Sequence, residues 1–195
     1  NVAIGKNALA AATTGCLNIA IGELAMGAAA TTGIDNIAIG TTSADALTTG
    51  IGNVAIGLNA LGAATTGCDN VAIGELALGG AVVTGKCNVA IGYAAMDALT
   101  SGTNNVAVGR NAMGAVIGGS DNVAIGQHTA DALTTGICNV AMGTNALGAS
   151  TTGCLNIAIG ELAMGATVVT GIDNIALGTT SMDALTSGIC NVAIG

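Results

Sequence analysis

The sequence predicts an all-β fold, a parallel β-solenoid whose coils are 17 or 18 residues long, running as a single tandem array through residues 1–195. Three observations predict it. The pentapeptide Asn-[Val/Ile]-Ala-[Ile/Val/Leu/Met]-Gly recurs at near-constant spacing. Glycine is abundant while Pro, Trp and Phe are absent. Apolar residues alternate only over short stretches, which reads as strand and not as helix.

The repeat sets the domain organisation, because a fixed internal period overrides the prior set by chain length. Copies start at Asn1, Asn18, Asn36, Asn53, Asn70, Asn88, Asn105, Asn122, Asn139, Asn156, Asn174 and Asn191, at intervals of 17 or 18 residues. No stretch between them is long enough for a second domain. The first and last five residues are the same phrase, Asn-Val-Ala-Ile-Gly. Solenoid ends normally carry polar capping repeats, so the chain is expected to be a window of a longer array. A longer period overlies the short one. Repeats like Asn59-Ala60-Leu61-Gly62, Glu75-Leu76-Ala77-Leu78 and Ala95-Met96-Asp97-Ala98-Leu99 follow one another as types A, B and C, which suggests a duplicated 52-residue module.

Composition narrows the class. Tyr93 is the only aromatic residue among 195, so the core must pack through many small contacts in place of large anchoring rings. Charged residues make up 7% and the net charge is −8, with Lys6, Lys86 and Arg110 as the only basic side chains besides His128. That balance argues against nucleic-acid binding. The mean hydropathy is +0.74, yet Gly, Asn or Thr interrupts every apolar run well short of the ~20 residues of a membrane span. No membrane insertion is expected.

Each element of the coil follows in order. Asn at the first position is expected to stack into a ladder, its amides hydrogen-bonding up and down the array. The ladder comprises Asn18, Asn36, Asn53, Asn70, Asn88, Asn105, Asn122, Asn139, Asn156 and Asn174; a plain turn role for each is compatible with it. Positions two to four form a strand, with Val or Ile filling the coil and the invariant Ala on the opposite face. Gly at position five turns the chain. A second apolar patch, such as Ala60-Leu61 or Ala25-Met26, is read as a further strand, since glycines bracket it too tightly for a stable helix. Thr-Thr-Gly closes the coil. An outward Ala face would be unusual on a solvated sheet, so partner chains are expected to cover it, most simply in a parallel trimer.

The recurring Asn-Val-Ala-Ile-Gly, Ala-Leu and Thr-Thr-Gly resemble the head repeats of trimeric autotransporter adhesins and, more closely, the repeat shafts of bacteriophage tail-fibre proteins. The resemblance covers the whole chain. It implies left-handed β-rolls or β-helices and an extracellular place on a cell-surface filament or virion fibre. The implied partners are copies of the chain itself, in a parallel trimer or an end-to-end fibre, with a surface glycan or host ligand bound at a tip outside these residues. Departures are the longer coils, the six cysteines and the absence of a neck or coiled-coil stalk among these residues.

The cysteines sit one or two residues before a repeat's Asn. A rise of ~4.8 Å with a one-residue step of ~3.3 Å puts Cys68 near Cys87 and Cys138 near Cys154, within disulfide range. Two inter-coil disulfides are expected, with small buried thiols as the alternative. Cys16 and Cys190 are left as a candidate link between successive units. Disulfides would place the protein in an oxidising compartment.

No catalytic constellation is legible, and neither an enzyme activity nor a cofactor is expected. His128 is the only histidine and reads as a solvated corner residue. No pair of metal-ligand motifs occurs. The acids recur with the repeat: Asp45, Asp97, Asp131 and Asp183 in type C, Glu23, Glu75 and Glu161 in type B, and Asp35, Asp69, Asp121 and Asp173 just before an Asn. They read as sparse solubilising charge, with calcium between chains as an alternative. The Thr pairs raise ice binding and O-linked sugars as lesser readings. The expected function is a stiff structural shaft of a fibre; an adhesive head is the alternative.

Overall fold

The computed structural model describes residues 1–195 as twelve three-residue strands and no helix. They are β1 (Val2–Ile4), β2 (Ile19–Ile21), β3 (Ile37–Ile39), β4 (Val54–Ile56), β5 (Val71–Ile73), β6 (Val89–Ile91), β7 (Val106–Val108), β8 (Val123–Ile125), β9 (Val140–Met142), β10 (Ile157–Ile159), β11 (Ile175–Leu177) and β12 (Val192–Ile194). Each begins one residue after a repeat's Asn. All pair in parallel and in sequence order, so every strand lies on the one before it. Equivalent residues stack directly, as Val89 does on Val106 and Ala90 on Ala107. The chain is therefore a β-solenoid of eleven coils. At ~4.8 Å per coil the stack is about 53 Å long.

Only 22 of the 124 backbone hydrogen bonds lie within the strands. The rest run through turns and corners, so successive coils are bonded around much of the circumference. Leu61 donates to the Ala77 carbonyl at 3.0 Å, Thr48 to Thr65 at 3.0 Å, and Gly57 to Ile39 at 2.8 Å. Short strands suffice because the corners continue the pairing.

The structure reverses the faces of the strand. Ala at position three points inward in every coil from Ala20 to Ala176 and is fully buried or nearly so. Val and Ile on either side point outward and are half-exposed or exposed. Asn at position one shares the inward face with Ala, as the alternation of a strand requires. The reason is width. An Asn side chain already crosses this part of the coil, and only a methyl group fits beside it. The expectation that Val and Ile fill the coil, leaving Ala for partner chains, is corrected accordingly.

The second apolar patch also differs from its expected form. It is a run of turns and not a strand, with Asn59 at φ 54° and Leu61 at φ 50°, and the same left-handed pair in every coil. A strand sends neighbouring residues to opposite faces, yet Ala60 and Leu61, like Ala25 and Met26, are buried side by side. The left-handed turns make that possible. They cost about 1 kcal/mol or more at each non-glycine residue, offset by burying a Leu or Met, worth about 2 kcal/mol. Leu99, Val116 and Leu133 close the core from the third side. Together, 33 buried apolar residues form one continuous cluster along the rod.

This packing sets an expectation. Ala107→Leu forces three extra carbons into a fully buried site and should cost about 3 kcal/mol. Val106→Ile next to it, pointing outward, should change stability by less than about 0.5 kcal/mol. Urea midpoints of the two variants check the inversion of faces directly, since the opposite orientation would reverse their order.

Candidate functional site

The asparagine column is the most highly organised chemical feature of the molecule. Asn18 to Asn174 are all buried. From Asn36 onward, each Nδ2 donates to Oδ1 of the preceding Asn at 2.9–3.2 Å. The backbone N–H of each Asn donates to the same oxygen, for example Asn105 to Asn88 and Asn122 to Asn105, both at 3.0 Å. The expected ladder is present, and it extends from Asn1 to Asn191.

A second role was not anticipated. Each Nδ2 also donates to the carbonyl of the corner Gly that ends its own coil, as Asn53 does to Gly67 at 2.8 Å and Asn105 to Gly119 at 2.7 Å. The same bond closes every coil from Asn1–Gly15 to Asn174–Gly188. The side chain is thus a latch across the coil as well as a rung between coils. The signal was in the sequence: a Gly follows every coil's Asn by 14 residues in the 17-residue coils and 15 in the longer ones. Its meaning was hidden because a backbone acceptor has no side-chain identity.

The cysteines lie on one corner, beside the asparagine column. All six carry free thiols, and the structure contains no disulfide. The expected Cys68–Cys87 and Cys138–Cys154 bridges are not formed, although the one-residue offset between neighbouring coils on which they were placed is present. Cys68 pairs with Lys86 in the next coil, while Cys87 meets Cys68 only through a backbone hydrogen bond of 3.1 Å. Leu155, the residue after Cys154, bonds the Ile137 carbonyl at 3.0 Å, which sets Cys154 beside Ile137 and one residue out of step with Cys138. Cys87 and Cys138 are both left-handed at φ 58°, so their Cβ atoms leave the direction that an extended chain would give them. Cys16 and Cys190 sit at opposite ends of the same corner and are exposed.

That left-handed position, just before each Asn, also accounts for four of the acids. Asp35, Asp69, Asp121 and Asp173 occupy it with φ between 56° and 60°, a conformation that Asp and Asn tolerate better than most residues. Asp45 acts differently, since its Oδ1 accepts from the N–H groups of Gly27 and Ala28 in the preceding coil at 3.2 and 2.8 Å. These acids shape the chain in addition to adding charge. Glu23 pairs with Lys6 at 3.3 Å on the open surface, a contact worth well under 1 kcal/mol. Arg110 lies 5.7 Å from the ring centroid of Tyr93 in the adjacent coil.

His128 contacts Asp131 at 3.0 Å and is only partly exposed. The corner threonines divide their labour: Thr48, Thr100 and Thr134 donate to carbonyls of the next coil at 2.9, 3.0 and 3.1 Å, while Thr49, Thr66 and Thr135 face outward. No three His, Cys, Asp or Glu side chains converge on a point, and the surface carries no pocket. No helix is long and apolar enough to cross a membrane. No protein-family model, no curated protein and no solved structure matches the chain.

Proposed function

We propose that this chain is a shaft segment of an extracellular fibre, a stiff spacer whose job is length and durability. The observation that carries the reading is the unbroken asparagine column. A buried ladder of this kind ties each coil to the next and latches each coil on itself, so bending the rod or peeling one coil away requires breaking several buried hydrogen bonds at once. Each costs about 1–3 kcal/mol when a partner is left unsatisfied. Contacts reach only to neighbouring coils, so a coil can be added without redesigning the rest. Length is the one property such a molecule varies freely. The resemblance of the repeat to fibre shafts supports the same reading.

Immunogold electron microscopy of the source cells or particles tests it. Label spaced along the length of a filament is the expected result. Label confined to a filament tip would favour an adhesive head, and label inside the cytoplasm would overturn the proposal.

A further inference from the structure

The outer face of the sheet has no covering. Parallel sheets are ordinarily buried on both faces, and here the inner face packs Ala and Asn while the outer face shows two columns of Val, Ile, Leu and Met. Ile91, Ile125, Met142 and Ile159 are 37, 38, 39 and 40% exposed at the middle and far part of the array. Not one of the twelve strands places a charged or polar residue on this face. About 53 Å of stack by ~10 Å of three-residue strand gives on the order of 500 Å². Two such faces together would remove ~1,000 Å² from water, the lower limit for a biological interface.

A partner for this face must present apolar ridges every ~4.8 Å over eleven intervals, and another copy of the same sheet does so. The order of side chains adds a symmetry. Outward from the midpoint between β6 and β7, the first strand residue reads Val, Val, Val, Ile, Ile, Val in both directions. The third strand residue, the more exposed column, does not repeat this order: Ile91, Ile56 and Ile21 come opposite Val108, Met142 and Leu177, apolar against apolar but not like against like. A two-fold dimer needs only that the same face serve both copies, each residue meeting its partner reciprocally. The extra residue of each longer coil falls between its Gly corner and its Thr corner, away from the sheet, so the face stays regular across all twelve strands.

We propose that the Val/Ile face is a homodimer interface, in which two copies pack sheet to sheet with their rods antiparallel about an axis between β6 and β7. At the rim Tyr93 of one copy lies level with Arg110 of the other. Asp69 lies level with Asp121, a like-charge meeting that salt screens. Association therefore strengthens as ionic strength rises. This proposal is independent of the fibre reading, since a rod of either function would carry the same face.

Sedimentation equilibrium of the full chain tests the proposal. A dimer is expected, tighter at high salt. Ile91→Lys with Ile125→Lys should weaken it by about 30-fold or more, the effect of losing central contacts. Ile91→Thr with Ile125→Thr keeps strand propensity and should weaken it less. Thr135→Lys, on an outward corner, should leave it unchanged; far-UV circular dichroism checks that each variant is folded. Orientation is read with a short bis-maleimide on single-cysteine proteins, the other five cysteines replaced by Ser. Exposed Cys87 precedes β6 beside the axis and should give covalent dimers. Cys16 lies far from the axis and should not. A monomer at the highest soluble concentration overturns the proposal, including one that depresses freezing or sediments with lipid vesicles. So does a trimer, a dimer indifferent to the Lys variants, or cross-linking of Cys16 as readily as Cys87.

Discussion

Asn105→Leu is expected to destabilise the protein by about 3–5 kcal/mol, among the largest effects of any single side chain. Asn105 donates to Asn88 Oδ1 at 3.1 Å and to the Gly119 carbonyl at 2.7 Å. It accepts from the backbone and the side chain of Asn122, both at 3.0 Å. Leucine supplies none of these and is too broad for the space beside Ala107. The Gly119 carbonyl and the Asn122 N–H are left buried and unpaired. Asn105→Asp should be no better, because it cannot donate and brings a charge into a dry site. Asn104→Ala makes the control. Asn104 is the adjacent residue, exposed and left-handed at φ 58°, and its loss should cost about 1 kcal/mol. Urea unfolding gives the magnitudes. Hydrogen exchange gives the location: because coils contact only their neighbours, lost protection should centre on the coils of Asn88, Asn105 and Asn122 and fade beyond them. Uniform loss along the rod would contradict a chain of local latches.

Gly92→Ala and Gly118→Ala are the same chemical change with opposite expected outcomes. Gly92 follows β6 with φ +133°, and a Cβ there would lie 2.5 Å from the Gly109 carbonyl oxygen in the next coil. Both the backbone conformation and the stacking distance exclude a side chain, so the substitution should cost about 3–5 kcal/mol. It should also open the stack locally, since the clash is with backbone and cannot be relieved by a rotamer. Gly118 would place its Cβ 3.5 Å from Ser101 Oγ, an ordinary contact, and its φ lies outside the left-handed region. Ala at that position restricts the unfolded chain and should stabilise by up to about 1 kcal/mol. Thermal melts of the two variants should therefore move in opposite directions.

The contrast between these glycines shows what kind of information the repeat carries. Gly92 belongs to the pentapeptide and recurs in all twelve copies, so periodicity alone singled it out. Gly118 looks equally glycine in the sequence and is merely permitted. The asparagines behave likewise. The column from Asn18 to Asn174 was legible because residues at one period must stack in any solenoid, and an amide is a donor and an acceptor at once. Its latch to Gly67 or Gly119 was not legible, because it depends on how far the chain travels across the coil before returning.

Period, parallel stacking, coil number and the asparagine ladder were determined by the sequence by itself, since each follows from which residues recur and how far apart. Tertiary structure alone decided which side of each three-residue strand faces in. Alternation separates Val89 and Ile91 from Ala90 but does not say which set is inside. The interior decided it: an Asn latch spans the coil at that point, leaving room for a methyl group and no more. It also decided that Ala60 and Leu61 enter the core together, through left-handed turns that no pattern of hydrophobicity encodes, and that Cys87 beside Cys68 takes a left-handed conformation. Each of these is a question of width or register inside one coil, and a one-dimensional repeat is silent about both.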